Sequence, residues 1–222
     1  IAEHPVLGIV ELGCWMCGYD DFLLRLAGDA DFVRDFFDHV LGIQQAIIEQ
    51  YYPALAGSVD LTTSGDDFGM QTGPLMSPTM FADLVAPYFT ERIRLTKALG
   101  RCLYWHHSCG SVAALMPQII ECGVDILNPV QTSAKGMDPA ALKRDWGGEI
   151  VFWGAVDIQD FLRTASAADV RRDVPRLLEV LGRDGGYVTA PGHEVQDDVP
   201  PENIVAWIES ARATEGADVS GR

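Results

Sequence analysis

The stretch "CLYWHHSCGSVAALMPQIIECGVDILNPVQ", residues 102–131, decides the fold class. An apolar run of strand length ends in His106-His107-Ser108-Cys109-Gly110, an apolar helical pattern follows, and Val124–Pro129 is a second apolar run. Near-continuous apolar runs are typical of strands in a parallel sheet that is buried on both faces. The stretch therefore predicts a strand–helix–strand unit, with polar residues placed just after the first strand.

The same alternation continues along the whole chain, and it predicts the α/β class. The predicted strands are Val6–Leu12, Val59–Ser64, Arg101–His106, Val124–Pro129, Glu149–Gly154 and Gly186–Ala190. The predicted helices are Asp20–Leu26, Ala30–Tyr52, Pro78–Leu99, Val112–Cys122, Pro139–Trp146, Ile158–Leu162, Ala167–Leu181 and Pro201–Arg212. Ser77-Pro78 and Asp138-Pro139 each combine a capping side chain with proline at the first helical position.

Polar and glycine-rich residues cluster after the predicted strands, which is where a (β/α)8 barrel carries its active site. A doubly wound open sheet is the alternative, but no Gly-x-Gly-x-x-Gly follows a strand. A closed barrel of this kind needs eight strands. We therefore expect a (β/α)8 TIM barrel with about six βα units present and an N-terminal portion missing, in line with a chain that begins at Ile1. The expected division is one barrel domain, residues 1–213, and a flexible tail, residues 214–222.

Charge and composition exclude several classes of partner. The formal net charge is −16, so the surface repels nucleic acid and anionic membranes. No apolar run reaches the roughly 18 residues that a membrane helix needs, and no secretory leader pattern is present. Five cysteines without an export signal predict reduced thiols and a cytoplasmic setting.

His107 and Cys109 are the first candidates for chemistry. Residues i and i+2 at the end of an extended strand point to the same side. A thiolate and an imidazole on one side suit zinc, which usually has a third protein ligand at catalytic sites. His193, just after the last predicted strand, is the best third candidate. The others are Glu11, Asp66, Asp67, Cys14 and His106. The alternative without metal is a buried histidine beside an inert cysteine.

Other polar or aromatic residues also follow predicted strands. Asp66-Asp67 fits a base, a cation anchor or a metal ligand, and equally an Asp-rich turn. Gln131 and Asp157 are candidates for hydrogen bonds to substrate, with solvated loop residues as the alternative. Cys14-Trp15-Met16-Cys17 alone fits a redox pair or half of a zinc site. Because there is no second Cys-x-x-Cys, we interpret it as packing at a strand-to-helix turn, with Trp15 lining the pocket.

Three segments resemble the uroporphyrinogen decarboxylase superfamily. They are "GDDFGMQTGPLMSP" (65–78), the stretch from "HSCGSVAALMPQ" to "GAVDIQ" (107–159), and "GYVTAPGHEVQDDVPPENIVA" (186–206). The resemblance implies a (β/α)8 barrel enzyme. One arm of the superfamily decarboxylates uroporphyrinogen without a cofactor. The other arm holds corrinoid-linked methyltransferases, which act on thiols or on methoxy and methylamine-type donors. Its thiol-using members hold zinc with a His-x-Cys pair and a later Cys.

The resemblance favours the methyltransferase arm, because His107 and Cys109 match the His-x-Cys pair. His193 stands at the later Cys position, in a Gly-His setting that is also similar to the decarboxylases. The implied roles are Zn(II) held by His107, Cys109 and His193, catalysis by Asp66, Asp67 and His193, and substrate contacts from Glu11, Trp15, Gln131 and Asp157.

The implied partners are a small-molecule methyl donor or thiol acceptor and a separate protein that carries the corrinoid, and a homodimer is a further expectation. Two alternatives stay open at this point. One is uroporphyrinogen decarboxylase proper, in porphyrin biosynthesis. The other is a non-catalytic binding or scaffold barrel.

Overall fold

A computed structural model of the chain describes the backbone of residues 1–218 and the side chains of residues 1–213. The strands are β1 (Ala2–Glu3), β2 (Leu61–Gly65), β3 (Gly69–Met70), β4 (Gly73–Pro74), β5 (Leu103–His107), β6 (Ile126–Asn128), β7 (Val151–Val156) and β8 (Tyr187–Pro191). The helices are α1 (Ile9–Cys17), α2 (Tyr19–Gly28), α3 (Ala30–Leu55), α4 (Pro78–Met80), α5 (Ala86–Gly100), α6 (Met116–Glu121), α7 (Pro139–Trp146), α8 (Phe161–Thr164), α9 (Ala167–Leu181) and α10 (Pro201–Asp218). A π-helical turn, Phe81–Val85, precedes α5, and a 3₁₀ turn, Ala113–Leu115, precedes α6.

The chain divides into two compact units, Ile1–Leu127 and Asn128–Arg222. In the first unit β1, β2 and β5 are parallel neighbours, and β6 is next to β5 in the strand order. In the second unit β7 and β8 pair in parallel. Helices separate successive parallel strands, so the α/β class predicted from the sequence is confirmed. A short antiparallel pair, β3 with β4, follows β2 and was not predicted.

The first unit buries its apolar side chains between the strands and the long helices α3 and α5. Tyr104 on β5 and Phe89 on α5 are almost completely buried, and their rings meet edge to face. Such T-shaped contacts between aromatic rings add to the stabilisation that burial gives. This packing holds β5 against α5, so the end of β5 has a fixed position.

The second unit has its own apolar cluster, which contains Val156, Leu162, Val170, Val174 and Ala206. The helix α9 starts with a capping box, because the Ser166 side chain accepts from the Asp169 N–H and the Asp169 side chain accepts from the Ser166 N–H. The apolar side chains of α9 and α10 pack in the same cluster, so the two helices form one layer of this unit.

The predicted strand Val6–Leu12 is wrong. The first strand is β1, and α1 begins at Ile9. Gly8 is extended, and a Cβ atom there would meet Cγ of Asp66 at 2.3 Å. Asp66 instead binds the backbone N–H groups of Val10 and Glu11, which are otherwise unsatisfied at a helix N-terminus. A contact with a distant residue therefore decides the conformation of this apolar run.

The C-terminal helix is longer than predicted, since α10 extends to Asp218. The rest of the predicted tail, residues 219–222, lies outside the described residues. None of the helices in the described part of the chain is long and apolar enough to span a bilayer.

Candidate metal centre

The candidate site begins where β2 and β5 end. These strands pair in parallel, with Ser64 opposite His106 and Gly65 opposite His107. Because parallel neighbours run in the same direction, their carboxyl ends lie at one edge of the sheet. The Gly-Asp-Asp segment after β2 and the His-Ser-Cys segment in and after β5 therefore lie side by side.

The side chains of His107 and Cys109 converge. The distance from His107 Nε2 to Cys109 Sγ is 3.2 Å, and both residues are half-buried. Burial, followed by the charges of Asp67 and Glu11, raises the pKa of the Cys109 thiol to about 12. A neighbouring cation would favour the thiolate, and imidazole with thiolate is a donor pair that zinc accepts. The geometry of this pair fits the expected metal ligands.

His106 lies on the opposite side of β5 and is completely buried. Its ring packs against Phe68 and Phe89, with centroids 5.2 Å and 4.7 Å away. Burial lowers the pKa of His106 well below its usual value. The strand's alternation thus separates the two adjacent histidines, and His106 is a core residue.

The two adjacent aspartates have different surroundings. Asp66 is fully buried, and its two oxygens accept from Val10 N–H at 3.2 Å and from Glu11 N–H at 2.9 Å. Burial raises the pKa of Asp66 to about 6, although the Arg92 guanidinium and the α1 N–H groups favour its charged form. Asp66 therefore anchors the start of α1.

Asp67 faces the cysteine loop instead. Its Oδ1 atom accepts from the backbone N–H of Cys109 at 2.7 Å. The next residue also contacts this loop, because Phe68 N–H donates to Ser108 Oγ at 2.8 Å. Sequence patterns alone did not single out Ser108, which is buried between the two candidate ligands. Its position between a histidine and a cysteine was the only available signal.

The backbones of these two loops also approach closely. Asp66 N–H donates to the His107 carbonyl at 3.0 Å, and Ser111 N–H donates to the Met70 carbonyl at 2.8 Å. A Cβ atom on Gly69 would meet the Cys109 carbonyl oxygen at 2.6 Å. Only glycine allows this distance between the loops.

Glu11 lies in the first turn of α1 and is half-buried. Its carboxylate accepts from the Asp67 backbone N–H, yet burial and then the charges of Asp66 and Asp67 raise the pKa of Glu11 to about 7. Glu11 also lines a cavity of about 290 Å³ together with Trp105 and His107. A carboxyl group that changes charge near neutral pH therefore faces the same space as the candidate imidazole ligand.

A buried arginine supports this site from behind. Arg92 on α5 donates to the Leu7 carbonyl at 3.0 Å, to Ser64 Oγ at 2.7 Å and to the Tyr104 hydroxyl at 2.9 Å. It is 1% exposed. The guanidinium is a counter-charge for the buried Asp66, and it connects α5 to the segment before α1. The local sequence gave no signal for this role, since Arg94 in the same segment is exposed.

Trp15 and the Cys-x-x-Cys pair lie on α1, so their interpretation as a strand-to-helix turn is wrong. Cys14 is buried and Cys17 is half-buried, and both are free thiols. Trp15 is 54% exposed on the helix surface. A helix places residues 14 and 17 on one face, and here that face packs Cys14 into the first unit.

The remaining predicted site residues belong to the second unit, and each follows a strand. His193 is exposed two residues after β8, and the Gly192 N–H beside it donates to the Val156 carbonyl at 2.7 Å. Gln131 follows β6 and is half-buried. Asp157 follows β7, and its carboxylate accepts from Gln159 N–H at 2.9 Å and Phe161 N–H at 3.3 Å. Asp157 therefore also stabilises its own turn.

Known proteins similar to this chain include decarboxylases and a methyltransferase. A uroporphyrinogen decarboxylase of Legionella pneumophila strain Corby is 33% identical over 118 residues, which are 53% of this chain and 28% of that protein. One from Serratia proteamaculans strain 568 is 32% identical over 79 residues, 36% of this chain and 22% of that protein. The matched segments thus span under a third of the relatives' own length.

A solved structure, a methyltransferase from Methanosarcina mazei, superposes with a TM-score of 0.72 at 19% identity. The match covers 94% of this chain and 57% of that one, and it shows a shared TIM-barrel-like fold. The family model for uroporphyrinogen decarboxylase (URO-D) matches residues 7–214. With nearly the whole length matched and the βα order in agreement, the chain belongs to the uroporphyrinogen decarboxylase family.

Proposed function

We propose that this chain is part of a zinc-assisted methyltransferase that acts with a corrinoid protein. The observation that carries the proposal is the 3.2 Å approach of His107 Nε2 to Cys109 Sγ at the end of β5. His193, which follows β8, is the proposed third ligand. One cysteine and two histidines form a mixed donor set of the kind that occurs at catalytic zinc.

The surroundings of the pair fit a cation. Asp67 and Glu11 both raise the pKa of the Cys109 thiol, so their charges oppose a second anion unless positive charge is added. Zinc, when bound, would act as a Lewis acid that lowers the pKa of a substrate thiol or polarises a methoxy oxygen.

The chain's own residues would then bind and orient the substrate. Glu11 and Trp105 line the cavity beside His107, so we assign them contacts with the small-molecule methyl donor or thiol acceptor. Glu11, with its pKa raised to about 7, is suited to accept or release a proton there. Asp66 keeps α1 in place, which keeps Glu11 at the cavity.

The proposal places the corrinoid on a separate partner protein and the enzyme in the cytoplasm, and it allows a homodimer. The five cysteines, all free thiols, agree with a reducing compartment. Gln131 and Asp157, each just after a strand, are further proposed substrate contacts.

Metal content tests the proposal directly. Elemental analysis of the wild-type protein should give zinc close to one per chain. The variants His107→Ala, Cys109→Ser and His193→Ala should each lose most of it. His39→Ala, which changes an exposed histidine on α3, is the matched control and should keep its zinc. Folded wild-type protein that transfers methyl groups without zinc would rule the idea out.

Uroporphyrinogen decarboxylase is the second candidate, because the curated relatives carry that name. It needs no metal. Asp67 with His193 would face the tetrapyrrole, whereas Asp66, the other aspartate expected in this role, is fully buried against the start of α1. Incubation of the protein with uroporphyrinogen separates the candidates. Release of CO₂ that persists in Cys109→Ser would favour the decarboxylase.

A further inference from the structure

At least four hydrogen bonds join the segment after β2 to the end of β5 and the residues that follow it. Two are between backbone groups, from Asp66 N–H to the His107 carbonyl and from Ser111 N–H to the Met70 carbonyl. The other two use side chains, Asp67 Oδ1 for the Cys109 N–H and Ser108 Oγ for the Phe68 N–H. The bonds run in both directions between the loops, so neither loop can move without the other.

We propose that Asp67 and Ser108 are positioning residues that hold His107 and Cys109 in the geometry of a metal-binding pair. The inference rests on the proposed function, since it concerns the proposed metal ligands. It differs from the roles expected from the sequence, in which Asp67 was a catalytic residue and Ser108 had no assigned role.

The Asp67 contact fixes the residue that carries the thiol. A hydrogen bond of 2.7 Å to the Cys109 N–H restricts the backbone of Cys109. The backbone direction sets where Cβ points, and Cβ sets the distance from Sγ to His107 Nε2. Residues that hydrogen-bond to a ligand's own groups orient the ligand and usually matter for metal affinity.

Ser108 acts between the two proposed ligands. Its side chain is completely buried, and its hydroxyl accepts from the Phe68 N–H at 2.8 Å. Ser108 therefore points away from the cavity while its neighbours on both sides face each other. Loss of this bond would allow the turn from His107 to Cys109 to rotate.

Cobalt(II) reports both affinity and ligand geometry, so it is the probe. Asp67→Ala and Ser108→Ala should weaken Co(II) binding about 10–100-fold and shift the thiolate-to-cobalt charge-transfer band. Asp67→Asn keeps an oxygen acceptor for the Cys109 N–H, so it should retain the wild-type band and lose less than about 10-fold in affinity. The controls are Asp83→Asn and Ser58→Ala, which change exposed residues of the same types.

A metal-free measurement separates this inference from the proposed function. In amide hydrogen exchange by NMR, the Cys109 amide should be protected in the wild type and in Asp67→Asn, and it should exchange at least about 10-fold faster in Asp67→Ala. The Phe68 amide should respond in the same way to Ser108→Ala.

The outcomes are distinct. Wild-type Co(II) affinity and spectrum in Asp67→Ala and Ser108→Ala would overturn the positioning role, even if both variants melt at lower temperature. If the wild type binds no cobalt, the proposed function fails. The positioning role is then tested on the metal-free protein. If Asp67→Ala leaves both the exchange rate of the Cys109 amide and the NMR shifts of the His107 ring nitrogens unchanged, the positioning role is overturned.

Discussion

The imidazole of His106 stacks on the phenyl ring of Phe68, with 5.2 Å between the ring centroids and 29° between the planes. Neither ring nitrogen of His106 has a hydrogen-bond partner within 3.5 Å among the described residues. The imidazole therefore loses its hydration among aromatic rings, with the Arg92 charge and the Asp66 backbone among the polar groups that act on it.

We expect His106→Leu to raise the free energy of unfolding at pH 7 by about 1–2 kcal/mol, because Leu fills a similar volume without polar atoms. The pKa of His106 is lowered in the folded state, so only the unfolded chain binds a proton there as pH falls through 6.5. The wild-type protein therefore loses stability over this pH range. The advantage of the variant should thus grow below pH 6.5. Urea unfolding at pH 7 and 5 measures both effects. His39→Leu is the matched control, and a variant less stable than wild type at pH 5 would contradict the interpretation.

Glu11 makes the stability of the folded protein depend on pH in the direction opposite to that of His106. Its folded-state pKa is raised from 4.5 to about 7, so the folded protein binds the Glu11 proton more tightly than the unfolded chain does. Stability is therefore lost as pH rises from about 4.5 to 7. Glu11→Gln should match the metal-free wild type below pH 4.5 and exceed it above pH 7.

Chemical unfolding of the metal-free proteins across that pH range provides the measurement. Glu49→Gln, which removes an exposed carboxylate from α3, should leave the pH profile as it is. Parallel curves for wild type and Glu11→Gln at all pH values would show that Glu11 titrates normally.

Gly69 tests the close approach of the two loops. An added Cβ would lie 2.6 Å from the Cys109 carbonyl oxygen and 2.8 Å from the Ser111 nitrogen. We expect Gly69→Ala to cost about 1–3 kcal/mol of stability, because backbone atoms must move apart. At Gly65 the nearest atom to an added Cβ is 3.9 Å away. Gly65→Ala is therefore the control, and equal thermal shifts for the two variants would argue against a tight contact.

Asn203 connects helices of the second unit. Its Nδ2 atom donates to the Leu162 and Ala165 carbonyls, at 2.8 Å each, and the residue is 1% exposed. Asn203→Asp removes both donors and buries a charge, so it should lower the free energy of unfolding by at least about 3 kcal/mol at pH 7. Gln196→Glu makes the same chemical change at an exposed position. Similar melting temperatures for the two variants would refute the assignment.

For some helices, the local sequence predicted the first and last residues correctly. The helices Pro139–Trp146 and Ala167–Leu181 have the predicted bounds, because Asp138 and Ser166 cap them within the same few residues. The predicted helix Pro78–Leu99 is interrupted by a π turn just before Pro87, which has no N–H to donate to the preceding turn. Its start was predictable, whereas the change in hydrogen-bond pattern was not.

The site was predictable in part for the same reason. His107 and Cys109 are two residues apart at a strand end, so the sequence alone places them on one side. Ser108 and Asp67 gain their importance from hydrogen bonds between segments about 40 residues apart in sequence. The buried Arg92 and the anchoring role of Asp66 likewise depend on partners that no local pattern specifies.

The interlocked loops also define what can be exchanged between relatives. Residues 65–70 and 107–111 share hydrogen bonds in both directions, and an added carbon at Gly69 would force their backbones apart. A chimera that imports only one of these segments keeps the backbone hydrogen bonds, but it loses a side-chain acceptor wherever the imported segment lacks the equivalent of Asp67 or Ser108. The two segments are thus a single unit of recombination, and directed evolution of this site should diversify them together.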